Sequence, residues 1–169
     1  MKRSKRVERF NRLRAEHSEM LTSVLWKLAG DREVFAEAFQ NALMGIWEHI
    51  EKLDDQHAGG YIYRITLSAN SKAWRNRLGR DGCSDQSWGE AEACPEDMLD
   101  QNETATTIRQ AVAELPTKQS QAVALRYLEA QDYETIAKQM SCSQAGARSL
   151  VSKAIATLRT KLESFIEQE

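Results

Sequence analysis

The sequence predicts an all-α protein made of two small helical domains joined by a flexible acidic linker. Helix-favouring residues (Ala, Leu, Glu, Gln, Lys and Arg) dominate, and runs of β-branched residues are absent. Only two prolines, Pro95 and Pro116, occur in 169 residues. Apolar residues recur at helical spacing before and after a segment rich in Gly, Ser and Asp.

The predicted domains are residues 1–78 and residues 104–169, and residues 79–103 form the predicted linker. The linker has no periodic apolar face, and its Trp88 and Met98 are the two side chains that could still dock on a domain. We expect each domain to have its own hydrophobic core, because nothing in the sequence ties the two together over a long range. Both domains are small enough to depend on helix packing for their stability.

Three helices are predicted in the first domain. The first covers residues 8–29, where apolar residues form a stripe at helical spacing, and Gly30 ends it. Asp31 caps the second helix, residues 32–50, which is apolar along one side. A loop with the sequence LDDQHAGG leads into the third helix, residues 60–78.

Four helices are predicted in the second domain. The first spans residues 104–114, and the next starts around Pro116, whose missing N–H costs nothing in a first turn. A third helix covers the sequence DYETIAKQM, with Asp132 as its N-cap. The residues SCS then form a short turn, and Ser143 caps the last helix.

The last two helices form a helix-turn-helix pattern. Their apolar residues are spaced to face each other: Ile136, Ala137, Met140, Ala147, Leu150 and Val151. Ala137 is small where the helices approach closely, so the second helix can project into a DNA major groove. Its outward face carries polar residues suited to base edges and phosphates: Gln144, Arg148, Ser149, Ser152 and Lys153.

A helical hairpin with a solvated basic face would show the same spacing, so this alternative stays open. The turn has Ser141 where many such turns have glycine. A serine at positive φ costs roughly 1 kcal/mol, which weakens the match.

Charge is strongly segregated along the chain, although the net charge is only −2. Residues 60–80 carry five bases and no acid, residues 81–104 carry eight acids and no base, and residues 138–161 carry five bases and no acid. Most charge runs are solvated helix faces. The complete loss of one sign over such stretches favours a polyanionic partner such as nucleic acid.

Other classes of protein find little support. No apolar run is long enough to span a membrane, and the basic N-terminus lacks the apolar segment of a signal peptide. Because there is no glycine-rich phosphate loop and no nucleophile elbow, we expect that the protein is not an enzyme. The three cysteines match no zinc spacing, and His49 and His57 lack ligand partners. We therefore expect no metal, no cofactor, and free thiols in a reducing cytoplasm.

Both domains contain sequence patterns of one known family. In the second domain these are Leu115-Pro116, Leu125-Arg126-Tyr127, Tyr133-x-x-Ile136-Ala137 and Leu158-Arg159. They resemble the C-terminal domain of bacterial RNA polymerase sigma factors of the extracytoplasmic-function type. In the first domain, GDREVFAEAFQNALMGIW is similar to the family's polymerase-docking helix. GYIYRITLSANSKAWRNR resembles its promoter-melting helix.

The resemblance implies an alternative sigma factor that binds core RNA polymerase and promoter DNA without inserting into a membrane. Residues 1–78 would bind polymerase and recognise and melt the −10 element, and residues 104–169 would read the −35 element. The implied polymerase-binding residues are Asp31, Glu33, Glu37, Gln40 and Trp47. The implied −10 residues are Asp55, Gln56, His57, Tyr61, Arg64, Lys72, Trp74, Arg75 and Arg77. In this set, cations would track phosphates and aromatic faces would stack unpaired bases.

Two other functions stay open from the sequence. One is a one-component helix-turn-helix transcriptional regulator that binds operators as a dimer. The other is a sigma-like decoy that binds an anti-sigma factor and no DNA, although the intact basic faces argue against it. The sequence also leaves open whether an anti-sigma factor binds at all. It does not decide whether the two domains dock on each other and hide both DNA faces.

Overall fold

The computed structural model describes residues 3–81 and 103–166. They form seven α-helices and no strand, which confirms the predicted all-α class. The helices are α1 (Arg3–Ala29), α2 (Arg32–His49), α3 (Ala58–Asp81), α4 (Glu103–Ala113), α5 (Thr117–Tyr127), α6 (Tyr133–Met140) and α7 (Gln144–Ile166). Apart from its two ends, the predicted linker lies outside the described residues, as do Cys83 and Cys94. None of the described helices is long and apolar enough to cross a membrane.

The first helix begins at Arg3, earlier than the predicted start at Glu8. The reason is a tertiary contact with α2. Phe10 packs edge-on against Trp47, with ring centroids 5.5 Å apart. The Arg6 guanidinium lies 4.6 Å from the Trp47 ring centroid and also donates a hydrogen bond of 3.0 Å to the Trp47 carbonyl. These contacts hold the basic N-terminal segment in a helix that its own periodicity does not predict.

One core lies among α1, α2, α3 and the loop between α2 and α3, and it includes Ala113 of α4. Its largest fully buried side chains are Leu13, Leu21, Leu25, Ile46, Ile50 and Ile62. Asp31 starts α2 as predicted, because its Oδ1 accepts a 2.9 Å hydrogen bond from the Val34 N–H. The three helices of the predicted first domain therefore surround a common apolar centre.

A second core joins the two halves of the chain. It contains Val24 and Leu28 of α1 and Tyr63 and Leu67 of α3. These pack with apolar residues of the C-terminal half, among them Val112, Leu115, Val123, Leu125, Ile136, Ala147 and Leu158. The first domain has the core described above, but the expectation that nothing ties the two domains together over a long range is wrong, because the C-terminal helices share their core with α1 and α3. The α3 helix buries residues on two sides, which blurs the one-sided pattern that sequence analysis relies on.

Polar contacts also cross between the halves. Gly30 has a φ of 81°, which favours glycine, and a Cβ at this position would lie 2.8 Å from the Cδ of Arg109. Arg109 in turn donates from Nε to the Lys27 carbonyl over 3.1 Å. Lys27 forms an ion pair of 3.6 Å with Glu129. The glycine that ends α1 thus also makes room for an arginine of α4.

The helix-turn-helix forms as the sequence predicts. Asp132 caps α6, with its Oδ1 2.7 Å from the Thr135 nitrogen. Ser141 adopts the left-handed conformation expected of it, at φ 51° and ψ 49°. The Cys142 N–H then donates back to Ala137 over 3.0 Å. Ser143 caps α7, because its hydroxyl accepts a 3.0 Å hydrogen bond from the Gly146 N–H.

The shared core leads to a stability prediction for Leu67→Ala. Leu67 is 1% exposed, and truncating a buried leucine costs about 2–5 kcal/mol of unfolding free energy. Because Leu67 packs between the halves, amides of α4 and α5 should lose protection along with those of α3. Hydrogen exchange followed by mass spectrometry measures this.

Ile46→Ala is the matched control, because Ile46 is 0% exposed and belongs to the first core alone. It should lower overall stability with its largest loss of protection in α2 and α3. The shared core would be refuted by normal protection of α4 and α5 in the Leu67 variant.

Candidate nucleic-acid interface

The outward face of α7 presents the five polar residues that the sequence singles out. Gln144, Arg148, Ser149, Ser152 and Lys153 are all exposed. On the opposite side Ala147, Val151 and Ala154 are at most 3% exposed, and Ala147 and Ala154 pack into the second core. The helix-turn-helix therefore holds one face of α7 rigidly and leaves the basic face open to solvent.

Arg148 is also supported by an aromatic ring. Its guanidinium carbon lies 5.3 Å from the ring centroid of Tyr133, and that of Arg126 lies 4.9 Å from the same centroid. Arg126 is fixed in addition by a 2.9 Å hydrogen bond from its Nη1 to the Gln131 carbonyl. Cation–π contacts of this kind restrict where the guanidinium can point. Tyr133 and Arg126 belong to the family patterns in the sequence, and those patterns do not connect them with Arg148.

The loop between α2 and α3 presents four polar residues, Asp54, Asp55, Gln56 and His57, and all are exposed. His57 donates from Nδ1 to Asp54 over 2.8 Å, and this hydrogen bond lowers the pKa of the Asp54 carboxyl below its ordinary value. Gln56 also donates its backbone N–H to Asp54 over 3.3 Å. The loop is therefore organised around the Asp54 carboxylate.

Two arginines of α1 hold the same loop from outside. Arg9 and Arg12 place Nη2 atoms 2.9 Å and 3.0 Å from the two oxygens of Asp55. Arg9 also donates to the Leu53 carbonyl. The sequence alone does not reveal these contacts, because more than forty residues separate the partners along the chain.

One face of α3 combines cations with an aromatic ring. Arg64, Lys72 and Arg75 are exposed and lie on the same side of the helix as Tyr61. The Arg64 guanidinium carbon is 5.0 Å from the Tyr61 ring centroid. The loop leads directly into this face of α3. Most of the predicted −10 residues therefore lie either in the loop or on this face.

Two members of the predicted −10 set lie elsewhere. Trp74 is 3% exposed and its Nε1 donates to the Leu28 carbonyl over 3.1 Å, so the ring is part of the first core. A buried indole has no free face on which a base could stack. Arg77 points away from the cationic face of α3 and forms an ion pair with Asp31. The predicted stacking role of Trp74 is therefore corrected to a structural one, and Arg77 acts first as a partner of Asp31.

The predicted polymerase-binding residues follow one side of α2. Glu33 and Gln40 are exposed there, and Glu37 accepts a 2.5 Å hydrogen bond from Asn76. Trp47, at the end of this side, is half-buried against α1. Asp31 precedes the helix and its carboxylate is used by the N-cap and by Arg77.

Met44 completes this side of α2 and was missed by sequence analysis. It is 52% exposed and lies one helical turn after Gln40. An exposed methionine next to polar residues is adaptable contact surface for a protein partner. The sequence contains one sign of this, because a residue four positions after Gln40 lies on the same side of a helix.

No group of three or more metal-binding side chains occurs among residues 3–81 and 103–166.

Comparison with known families decides the affiliation. Residues 13–79 match the family model "Sigma-70 region 2", and residues 105–158 match "Sigma-70, region 4". The chain belongs to the sigma-70 family. The predicted membership among its extracytoplasmic-function type is confirmed.

Two relatives of this sigma-70 protein illustrate the match. The chain is 28% identical over 120 residues to an RNA polymerase sigma-E factor of Streptomyces antibioticus. The aligned residues cover 71% of this chain and 64% of that relative. Among solved structures, the sigma factor RpoE from Bartonella quintana, in complex with the anti-sigma factor NepR, matches with a TM-score of 0.50 and 19% identity. That match covers 91% of this chain and 96% of the Bartonella chain, and it shows a shared fold.

The burial of Trp74 predicts that its substitution acts on stability. Trp74→Ala should cost about 3–5 kcal/mol of unfolding free energy, as for other buried aromatic residues. Arg75→Ala, one position further on the exposed face, should stay within about 0.5 kcal/mol of the parent protein. Urea unfolding followed by circular dichroism measures both. Equal stability of the two variants would contradict the assignment of Trp74 to the core.

Proposed function

We propose that the protein is an alternative sigma factor that binds core RNA polymerase and directs initiation at promoters through their −10 and −35 elements. One observation carries this proposal. A basic helix-turn-helix face and a separate cationic and aromatic face occur in one chain, within the segments that match regions 4 and 2 of the sigma-70 family. As a binding subunit it has no reaction of its own, and it works in the cytoplasm with polymerase.

The work divides between the halves of the chain. Residues 1–78 bind polymerase and capture the −10 element, residues 104–169 read the −35 element, and residues 79–103 link them. The exposed face of α7 suits a major groove, where Arg148 and Gln144 can form paired hydrogen bonds to base edges. Ser and Lys side chains on the same face suit phosphates.

Capture of the −10 strand needs cations for the backbone and a surface for unpaired bases. The Tyr61 ring and the exposed cations Arg64, Lys72 and Arg75 meet this need along α3. The loop with Asp55, Gln56 and His57 offers hydrogen-bonding groups to a base that has left the stack. Stacking of an unpaired base is therefore assigned to Tyr61, and Trp74 has no part in it.

Polymerase binding is assigned to the side of α2 with Glu33, Glu37, Gln40, Met44 and Trp47. We also propose an anti-sigma factor as a regulatory partner, since a protein of the same fold has been crystallised with one. A one-component regulator would not explain the segment that matches region 2. A decoy that binds no DNA would not explain the exposed basic faces. A polymerase pull-down followed by transcription in vitro distinguishes these three functions.

A first prediction concerns reading of the −35 element. Arg148→Ala should weaken binding to a −35 duplex by about 1–3 kcal/mol and relax specificity at one base pair. Lys153→Ala should lower affinity for all sequences alike and reduce the slope of log K against log salt by about one. Competition binding at several salt concentrations measures both. An equal loss for Arg148→Ala on specific and random duplexes would reassign Arg148 to phosphate contact.

A second prediction concerns the polymerase-binding side of α2. Glu33→Lys combined with Met44→Ala should strongly reduce co-purification with core polymerase, since both side chains are exposed on that side. Glu19→Lys reverses one charge at an exposed position of α1 and serves as the control. Circular dichroism should show the same helicity in all variants. Normal polymerase binding by the double variant would remove α2 as the docking surface.

A further inference from the structure

The N-terminal part of α1 has no role in the functions assigned so far. The region 2 match begins at residue 13, so residues 3–12 precede it, although they continue the same helix. Residues 2–14 contain seven basic residues and one acid. Arg6 is accounted for by its contacts with Trp47. Arg9 and Arg12 hold the loop between α2 and α3, and Lys5, Arg3 and Arg14 are exposed on the rest of the segment.

Helical geometry sorts these cations into two edges. At about 100° per residue, Lys5, Arg9 and Arg12 fall on one edge of α1. Arg3 and Arg14 fall on the opposite edge. Lys5, Arg12, Arg3 and Arg14 are exposed, so both edges face solvent.

Only the first edge meets the candidate −10 loop. Arg9 and Arg12 both contact the Asp55 carboxylate, at 2.9 Å and 3.0 Å. The side chains of Arg9 and Arg12 remain 24% and 53% exposed, so their ion pairs stay within reach of solvent. A strand captured by this loop would therefore pass next to these arginines.

The close contacts at this place favour the cations. Asp55 forms ion pairs with both guanidinium groups, while Asp54 is engaged by His57 and acts on Arg9 only at longer range. Glu16 lies at a long 3.9 Å from Arg12, so it neutralises Arg12 only in part. Lys5 adds another positive charge on the same edge. The excess of cations fits a partner with regularly spaced negative charges, and a sugar-phosphate backbone is such a partner.

We propose that Lys5, Arg9 and Arg12 form a phosphate-binding track that holds the single-stranded backbone next to the −10 loop. This inference rests on the proposed function, because it requires an unpaired strand at that loop. The Asp55 ion pairs keep the arginines aimed at the loop in the free protein. A phosphate can replace Asp55 as the partner of Arg12, whose side chain is the more exposed of the two.

The test compares two pairs of substitutions on opposite edges of the same helix. Lys5→Ala with Arg12→Ala removes two charges from the track, and Arg3→Ala with Arg14→Ala removes two charges from the other edge. Each variant is assembled with core polymerase, and binding of a fluorescent single-stranded −10 oligonucleotide is titrated over a range of salt. The track pair should reduce the slope of log K against log salt by about 1.4, at about 0.7 per phosphate on single strands. The control pair should leave it nearly unchanged.

Asp55→Asn separates phosphate contact from positioning of the loop. It weakens the tie between loop and α1 and leaves every cation of the track in place. If the track contacts phosphate, Asp55→Asn keeps the full salt slope. A slope lowered by Asp55→Asn as much as by the track pair would overturn the proposal in favour of a positioning role.

The outcomes also separate this inference from the proposed function. Equal effects of the two pairs would overturn the track, since net charge alone would then explain the loss. Failure of the parent holoenzyme to bind the −10 oligonucleotide would overturn the proposed function itself, and the track with it.

Discussion

The position of α3 between two cores is the constraint on which the rest of the structure depends. Ile62, Ala73 and Trp74 close the first core, and Tyr63 and Leu67 enter the second. A helix buried on two sides has only a narrow strip left for solvent. That strip carries the exposed cations of α3, so their alignment is a consequence of packing. The same helix thereby fixes the position of the candidate −10 face relative to the helix-turn-helix.

Much of the fold could be predicted from the sequence because its signals are local. The caps of α2 and α6 depend on Asp31 and Asp132, each followed by the backbone that it caps. The exposed face of α7 follows from its own apolar spacing and from the turn at Ser141. Such features need only a few neighbouring residues, and a period of 3.6 is enough to find them.

The features that sequence analysis missed depend on partners distant in the chain. Trp74 looks like a stacking surface among arginines, and only the Leu28 carbonyl explains why it is buried. Arg77 belongs to a cationic run in the sequence, and only Asp31 shows where it points. The tie between Asp55 and α1 is of the same kind. The identity of a charged or aromatic residue shows which interactions it can make. Only its tertiary contacts show which of these interactions it makes in the fold.

Tyr63 brings a buried polar group into the shared core, and its energetics differ from those of the apolar side chains around it. The Tyr63 side chain is 5% exposed, burial raises the pKa of its hydroxyl, and that hydroxyl has no hydrogen-bond partner among the described residues. An unsatisfied buried group costs about 1–3 kcal/mol, and solvent relieves that cost when the surfaces part. The contact between the halves is therefore weaker than its apolar area alone suggests, and a form in which these surfaces part gives up less than that area implies. Any two ligands that both require the open form share a single opening cost, so the first to bind strengthens the second without touching it.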